Sequence, residues 1–241
     1  AMHAVQVSTK PLAEQIREFN PEIRVFENCI ERIPEIESSK WDNVGSNKPF
    51  RIFFGALNRK NDWKDWMEPI NAFIESHMDR VEFEIIHDSE FYKALKTDKK
   101  RFTPTCNYSR YMNLLNGSHI ALLPLNSTVF NHKKSDLKFV EAASNEVATI
   151  ASPTVYSETI ETNKTGRICK DHQELGGILD EWIQSPNIPR ELAKNAREWC
   201  VKERLQKNQS RARLAWYKEL WSRKDALTAQ LLRRVPELRD N

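Results

Sequence analysis

Cations and a hydroxyl group are crowded into one short stretch, residues 131–143 of the chain. Three lysines and a serine lie there, namely Lys133, Lys134, Ser135 and Lys138. Apolar runs at 119–125 and 147–152 flank the stretch, which predicts two buried strands joined by a loop and a short helix. Cations and a hydroxyl at the entry to such a helix are suited to bind a phosphate. A solvated loop before a lysine-rich helix is the alternative that the residues leave open.

A second group of cations follows another apolar run. Residues 50–54 form that run, Gly55 ends it, and Asn58, Arg59 and Lys60 come next. Ligands of open α/β sheets bind at the carboxyl ends of the strands, so both basic loops are expected on one edge of the sheet. Arginine binds phosphate oxygens in pairs and lysine acts as a point charge, which together would suit a diphosphate. Two exposed surface loops are the alternative.

The spacing of three charged residues suggests that a carboxylate lies in the same region. Lys134, Lys138 and Glu141 are three or four residues apart, which predicts that they share one face of a helix. The Glu141 carboxylate could accept two sugar or ribose hydroxyls, or it could only pair with Lys138, which is worth tenths of a kcal/mol. Thr165 and Gly166 could offer a hydroxyl and backbone N–H groups to an anion, or form a plain turn.

Several enzyme classes are disfavoured because their motifs are absent from the sequence. It has no G-x-x-x-x-G-K-[ST] loop, no G-x-G-x-x-G after the first strand, no G-x-S-x-G and no Asp-x-Asp pair. Four scattered cysteines give no zinc spacing and indicate free thiols in a reducing compartment: Cys29, Cys106, Cys169 and Cys200. No apolar run approaches the roughly 20 residues that cross a bilayer, and no signal peptide is apparent, which favours the cytoplasm.

Strands and helices, which must position these candidate residues, alternate along the chain. Strands are predicted at 50–54, 81–86, 101–103, 119–123 and 147–151, and residues 165–169 are predicted to be a turn that leads into a last short strand. This pattern predicts an α/β fold with a Rossmann-like, doubly wound parallel sheet, followed by a C-terminal helical extension.

The net charge is +3, but residues 190–241 hold fourteen Lys or Arg against seven Asp or Glu. This basic tail is therefore a candidate contact surface for an acidic partner.

In order and spacing, these segments resemble the C-terminal, donor-binding half of a group 1 (family-4-like) glycosyltransferase of the GT-B fold. The resemblance covers about residues 51–197 and rests on the segments 53–63, 120–125, 134–143, 150–152 and 165–166. It implies a retaining, hexosyl-type transfer from a nucleotide-diphosphate sugar, without a metal or another cofactor. It also implies that catalysis is mainly electrostatic stabilisation of the departing nucleoside diphosphate.

The resemblance implies a role for each candidate residue. Three cations would be the catalytic groups that neutralise the diphosphate: Arg59, Lys60 and Lys134. Glu141 matches the second glutamate of the family's Glu-x7-Glu motif, which contacts the ribose. The remaining substrate-binding candidates are Asn58, Ser135, Lys138, Thr165 and Gly166. The sequence departs from the family where Lys133 replaces the first glutamate and where 145–148 replaces Gly-x-Pro, so the donor sugar is not identified.

The resemblance also divides the chain. It implies a remnant of an N-terminal domain at 1–30, a linker at 31–49, a nucleotide-sugar-binding domain at 50–188 and basic helices at 189–241. The expected partners are a nucleotide sugar and an N-terminal acceptor domain missing from this chain, without which transfer would be inefficient. For the tail, docking on that acceptor domain is favoured. Contact with anionic lipid at the inner membrane face is second, and nucleic acid is the weakest.

Two other functions stay open. One is a non-catalytic GT-B-like module that scaffolds or regulates a partner, and the missing first glutamate favours it. The other is a generic Rossmann-like ligand binder, which would bind without a preference for diphosphates.

Overall fold

The computed structural model of the chain describes residues 2–56, 59 and 61–239. The chain begins with a small β-α-β unit made of β1 (Val5–Val7), α1 (Lys10–Ile16) and β2 (Ile23–Val25). Its two strands are parallel, with Val5 opposite Ile23. Thr9 starts α1 because its side chain accepts a hydrogen bond from the Leu12 N–H at 3.3 Å, and Pro11 fits the first turn.

A six-stranded parallel sheet forms the centre of the molecule. Its strands are β3 (Phe50–Gly55), β4 (Val81–Ile86), β5 (Lys100–Thr103), β6 (Ile120–Leu123), β7 (Ala148–Ala151) and β8 (Arg167–Ile168). Their order across the sheet is β5-β4-β3-β6-β7-β8. The chain builds outward from β3 in one direction and from β6 in the other, so the topological switch point lies between these two strands. The predicted Rossmann-like fold is confirmed.

Helices cover both faces of this sheet. They are α2 (Lys64–His77), α3 (Ser89–Ala94), α4 (Tyr108–Asn116), α5 (Leu137–Ser144), α6 (Pro153–Tyr156) and α7 (Glu174–Gln184). Side chains alternate along β3, so Ile52 and Phe54 face one apolar core while Phe53 faces the other. The first core contains Trp182 of α7, which is fully buried, and the second contains Phe139 of α5.

Three long helices end the chain: α8 (Asn187–Glu203), α9 (Gln206–Ser222) and α10 (Lys224–Arg234). The last two pack on the N-terminal β-α-β unit. Trp216 is 5.6 Å from Phe26 between ring centroids, and Arg223 donates to both carboxylate oxygens of Glu22 at 3.1 and 2.9 Å. The N-terminal β-α-β unit and the last two long helices are therefore held together.

Two connecting segments also have a defined structure. Helix α6 begins at Pro153, because proline suits the first helical position. The segment 31–49, predicted as a linker, has no helix or strand of its own, and its Trp41 and Val44 are buried in the same core as Phe50. Of the residues the structure describes, none belong to a helix long and apolar enough to span a membrane.

Candidate functional site

A cavity of about 240 Å³ opens at the carboxyl ends of β3 and β4, next to the switch point. Gly55 and His87 line it from these two strand ends, and Thr105 lines it from the loop after β5. Lys138 and Glu141 enter from α5. The position is where open α/β sheets bind their ligands.

Glu141 is the central acceptor of this cavity and is only 3% exposed. The Tyr111 hydroxyl donates to Glu141 Oε2 at 3.1 Å, and Lys138 Nζ lies 3.2 Å from the same oxygen. Lys138 Nζ also donates to the Tyr111 hydroxyl at 3.0 Å and sits 4.1 Å from the centre of its ring. The carboxylate is therefore fixed in one orientation.

Two tyrosines beside Glu141 remain hydrogen-bond donors. Burial, and then the negative charge of Glu141, raise the pKa of Tyr111 well above its usual value. The same causes raise the pKa of Tyr108 to about 12. Both phenols therefore keep their protons at neutral pH, and Tyr108 remains 57% exposed at the cavity mouth.

The chain turns sharply at the cavity wall. His87 has a φ of 73°, in the left-handed region that few non-glycine residues adopt. Its Nδ1 hydrogen-bonds the Thr105 hydroxyl, which ties the end of β4 to the loop after β5. Asp88 then caps α3 by accepting from the Phe91 N–H at 2.9 Å. These contacts hold the wall in place.

The two basic loops meet through a buried carboxylate, that of Asp62. Asp62 accepts hydrogen bonds from the Asn126 N–H at 3.0 Å and from Asn131 Nδ2 at 2.9 Å. Arg59 Nη1 lies 3.6 Å from Asp62 Oδ2. The loops that follow β3 and β6 are thus joined, as expected of two strand ends that are neighbours in the sheet.

Lys134 brings a second cation close to Arg59. Burial, and then the charge of Arg59, lower the pKa of Lys134, while Asp62 opposes the shift. Lys134 Nζ lies 5.0 Å from the centre of the Phe130 ring, and within the described ranges it forms no salt bridge. Two neighbouring cations with one shared carboxylate leave net positive charge at this edge of the sheet.

The predicted helix face is wrong for Lys134. Helix α5 begins at Leu137, and Lys134 precedes it in an extended conformation. Asp136, at the start of the helix, is buried and bound by Arg204, with Nη2 2.7 Å from Oδ2. Only Lys138 and Glu141 share the helix, and they form the salt bridge that the sequence left open as an alternative.

The other predicted residues are spread more widely. Ser135 Oγ accepts from Asn28 Nδ2 at 2.7 Å, so this hydroxyl faces the segment that follows β2. The Thr165 hydroxyl accepts from the Glu161 N–H at 3.0 Å within its own turn. A Cβ on Gly166 would be 2.6 Å from Thr149 Oγ1, so this glycine packs tightly on β7.

Neither Thr165 nor Gly166 lines the cavity. Asn58 and Lys60 lie outside the described residues.

Two groups that hold the site together have no motif in the sequence, Tyr111 and Arg204. Tyr111 follows Tyr108 by three residues at the start of a helix that follows a strand, a spacing that could have indicated a shared face toward the cavity. The pairing of Asp136 with Arg204 joins residues 68 positions apart and left no local pattern. Among the parts of the chain that the structure describes, no group of three or more His, Cys, Asp or Glu could hold a metal ion.

Comparison with known proteins places the chain in a family. The family model described as "Glycosyl transferase-like" matches residues 59–215, which is more than half of the chain. The sequence has no significant match among curated proteins.

Solved structures share the fold at low sequence identity. Anabaena Alr3699/HepE in complex with UDP and glucose superposes with a TM-score of 0.70 and 12% identity, over 90% of this chain and 64% of that one. The sucrose-phosphate synthase of Thermosynechococcus elongatus has a TM-score of 0.67 and 14% identity, over 91% of this chain and 58% of that one.

A third structure is a single domain. The C-terminal domain of a group 1 glycosyl transferase (LpcC) from Francisella tularensis has a TM-score of 0.54 and 18% identity, over 72% of this chain and 95% of that one. This chain thus spans less than two thirds of the two larger proteins. It belongs to the glycosyl transferase-like, group 1 family and has the fold of the C-terminal half of a GT-B glycosyltransferase.

Proposed function

We propose that this chain is the donor-binding module of a retaining, metal-independent glycosyltransferase and binds a nucleotide-diphosphate sugar. The observation that carries the proposal is the buried, oriented carboxylate of Glu141 inside a cavity at the switch point. A carboxylate held in this way can accept the two hydroxyls of a ribose, which is a common use of an acidic residue in nucleotide-binding sheets.

The diphosphate would lie across the edge between the two basic loops. Arg59 and Lys134 provide positive charge there without a metal ion, and Lys60 is proposed as the third cation. In this arrangement the cations stabilise the negative charge that develops as the nucleoside diphosphate departs. Ser135 and Thr165 stay predictions for the phosphate or sugar, and both would have to exchange their present hydrogen-bond partners to bind them.

The transferred sugar is the least constrained part of the donor. Lys133 stands where the family has a sugar-binding glutamate, so we expect contacts to the sugar that differ from the family pattern. HepE has been solved with UDP-glucose, and a pneumococcal O-GlcNAc transferase, GtfA, with UDP and GlcNAc. UDP is therefore the first nucleotide to test on this chain.

Calorimetry with UDP, GDP, TDP and ADP, and with their sugars, tests the proposal. We expect micromolar affinity for one of these nucleotides. Glu141→Gln should weaken it by about 10- to 100-fold, the value of a hydrogen bond to a charged group. When the ligand is the 2′-deoxynucleotide, which lacks one of the two hydroxyls, Glu141→Gln should reduce affinity much less. Glu75→Gln, an exposed carboxylate on α2, is the matched control and should change nothing.

A non-catalytic scaffold is the second candidate, and two observations favour it. Lys133 replaces the first glutamate, and Lys138 already neutralises the second. This candidate predicts that no nucleotide binds at any concentration up to millimolar, an outcome that would remove the donor-binding proposal.

We further propose that transfer requires an acceptor-binding domain in addition to this chain. The chain's coverage of the larger enzymes supports this, because 36% of HepE and 42% of the sucrose-phosphate synthase have no counterpart here. Incubation with the bound nucleotide sugar should release nucleotide only at the hydrolytic background. Efficient transfer to a small acceptor by the 241-residue chain would contradict this part of the proposal.

A further inference from the structure

Lys138 already binds the carboxylate that the proposed function gives to a ribose. Its Nζ donates to Glu141 Oε2 at 3.2 Å and to the Tyr111 hydroxyl at 3.0 Å. The Tyr111 hydroxyl in turn donates to the same carboxylate oxygen at 3.1 Å, so Oε2 accepts from two donors. A ribose hydroxyl that binds this oxygen must therefore compete with Lys138.

The two partners of this ion pair differ in how freely they can move. The side chain of Glu141 is 3% exposed, whereas that of Lys138 is 31% exposed and lines the cavity. Lysine carries its charge on a flexible four-carbon stem with three donors, so it can exchange partners while the backbone stays in place. Lys138 is therefore the member of the pair that can leave, and Glu141 is the member that stays.

The position of Lys138 on α5 gives it a second direction in which to turn. It is the second residue of the helix, next to the end that follows the basic loop, and Glu141 lies about one turn further on. A positive charge in the first turn is opposed by the helix dipole, whereas an anion bound at that end is favoured by it. An anion beside the first turn would therefore attract Lys138 away from Glu141.

We propose, resting on the proposed function, that Lys138 makes recognition of the ribose conditional on a phosphate. Without a ligand, Lys138 stays on Glu141. A nucleoside alone displaces it from a partly buried ion pair and gives its charge no new partner. A nucleoside diphosphate supplies that partner, because its phosphate oxygens bind Lys138 and leave Glu141 Oε2 open to the ribose. The chain therefore discriminates against free nucleosides.

Calorimetry on Lys138→Met tests the proposal. The ligands are the best-bound nucleoside diphosphate among UDP, GDP, TDP and ADP, and its parent nucleoside. We expect diphosphate affinity to fall about tenfold or more, because a charged phosphate contact is lost. We expect nucleoside affinity to rise about three- to tenfold, because no cation competes for Glu141. A lysine that held the carboxylate and the phosphate at the same time would not produce these opposite signs.

A second measurement uses the unchanged chain and decides the proposal even if Lys138→Met does not fold. Saturating pyrophosphate should raise the affinity for the same nucleoside about three- to tenfold, because it draws Lys138 away from Glu141. By thermodynamic reciprocity, the nucleoside should raise the affinity for pyrophosphate by the same factor. In folded Lys138→Met this coupling should disappear.

Lys99→Met is the matched control. Lys99 Nζ lies 2.6 Å from Asp79 Oδ1, where β5 and β4 begin and thus at the sheet edge opposite the cavity. Both affinities should stay within about twofold in this variant, because the lost charge is distant and screened. Circular dichroism verifies that each variant is folded.

The results separate this proposal from the proposed function on which it rests. A nucleoside affinity that falls or does not change in Lys138→Met would overturn the role of Lys138 and leave donor binding in place. So would the absence of coupling between the nucleoside and pyrophosphate in the unchanged chain. Binding of none of the four nucleoside diphosphates to the unchanged chain would overturn both proposals.

Discussion

Arg204→Met is expected to lower the free energy of unfolding by about 3–5 kcal/mol, because it leaves the buried Asp136 carboxylate without its cation. Arg204 binds both Asp136 oxygens, at 3.3 and 2.7 Å, and both side chains are more than nine-tenths buried. Urea denaturation measures the effect as a shift of the midpoint at a constant slope.

Two companion variants make this result specific. The double change Arg204→Met with Asp136→Asn should recover part of the loss, since no unpaired charge remains buried. Lys164→Met removes an ion pair of similar length, Lys164 to Glu161 at 2.9 Å, in which both side chains are 63% exposed. It should cost less than about 1 kcal/mol. If Arg204→Met costs no more than Lys164→Met, the buried pair does not hold the start of α5.

Removing the two cations at the sheet edge is expected to cost the largest share of diphosphate affinity. Arg59→Met and Lys134→Met should each weaken binding of the nucleoside diphosphate by about tenfold or more. Affinity for the nucleoside itself should not change. Calorimetry with the two ligands separates a lost phosphate contact from a damaged fold. Arg32→Met, an exposed arginine, is the control.

The pH dependence of diphosphate affinity tests whether Arg59 and Lys134 interact. Arg59 is one of the causes that lower the pKa of Lys134, so its removal should raise that pKa. Diphosphate affinity falls when Lys134 loses its proton, and in Arg59→Met this alkaline fall should move to higher pH. A fall at the same pH in both proteins would show that the two side chains do not interact.

The fold was predictable because each strand is indicated by the residues of its own segment. Apolar runs such as 50–54 and 119–123 are bounded by glycine or polar loops, and parallel strands joined by helices have few allowed topologies. The position of Glu141 on one helix with Lys138 was predictable as well, because the two residues are three apart in a segment that follows a strand. The meeting of the two basic loops followed from the adjacency of strand ends.

There is a physical reason why the groups that hold the site in place could not be predicted. Asp136 lies in the basic stretch 131–143, but its partner Arg204 comes from the end of α8, and α5 begins directly after this buried pair. Residue spacing alone predicts Lys134 on the same helix, which starts three residues later. Thr165 and Gly166 are suitable residue types for an anion-binding turn. The Thr165 N–H, however, donates to the Glu161 carbonyl, the Thr165 hydroxyl accepts from the Glu161 N–H, and the Gly166 carbonyl accepts from the Asn163 N–H, so these groups close the turn on itself.

The basic loop is attached to parts of the chain outside the sheet. The Thr9 hydroxyl donates to the Lys133 carbonyl at 2.9 Å, Asn28 donates to Ser135, and Arg204 donates to both Asn28 and Asp136. A shift of the N-terminal unit would therefore move the residues that are proposed to surround the diphosphate. Thermodynamic reciprocity requires the converse: a donor that favours one position of this loop biases the N-terminal unit toward the matching position by the same factor.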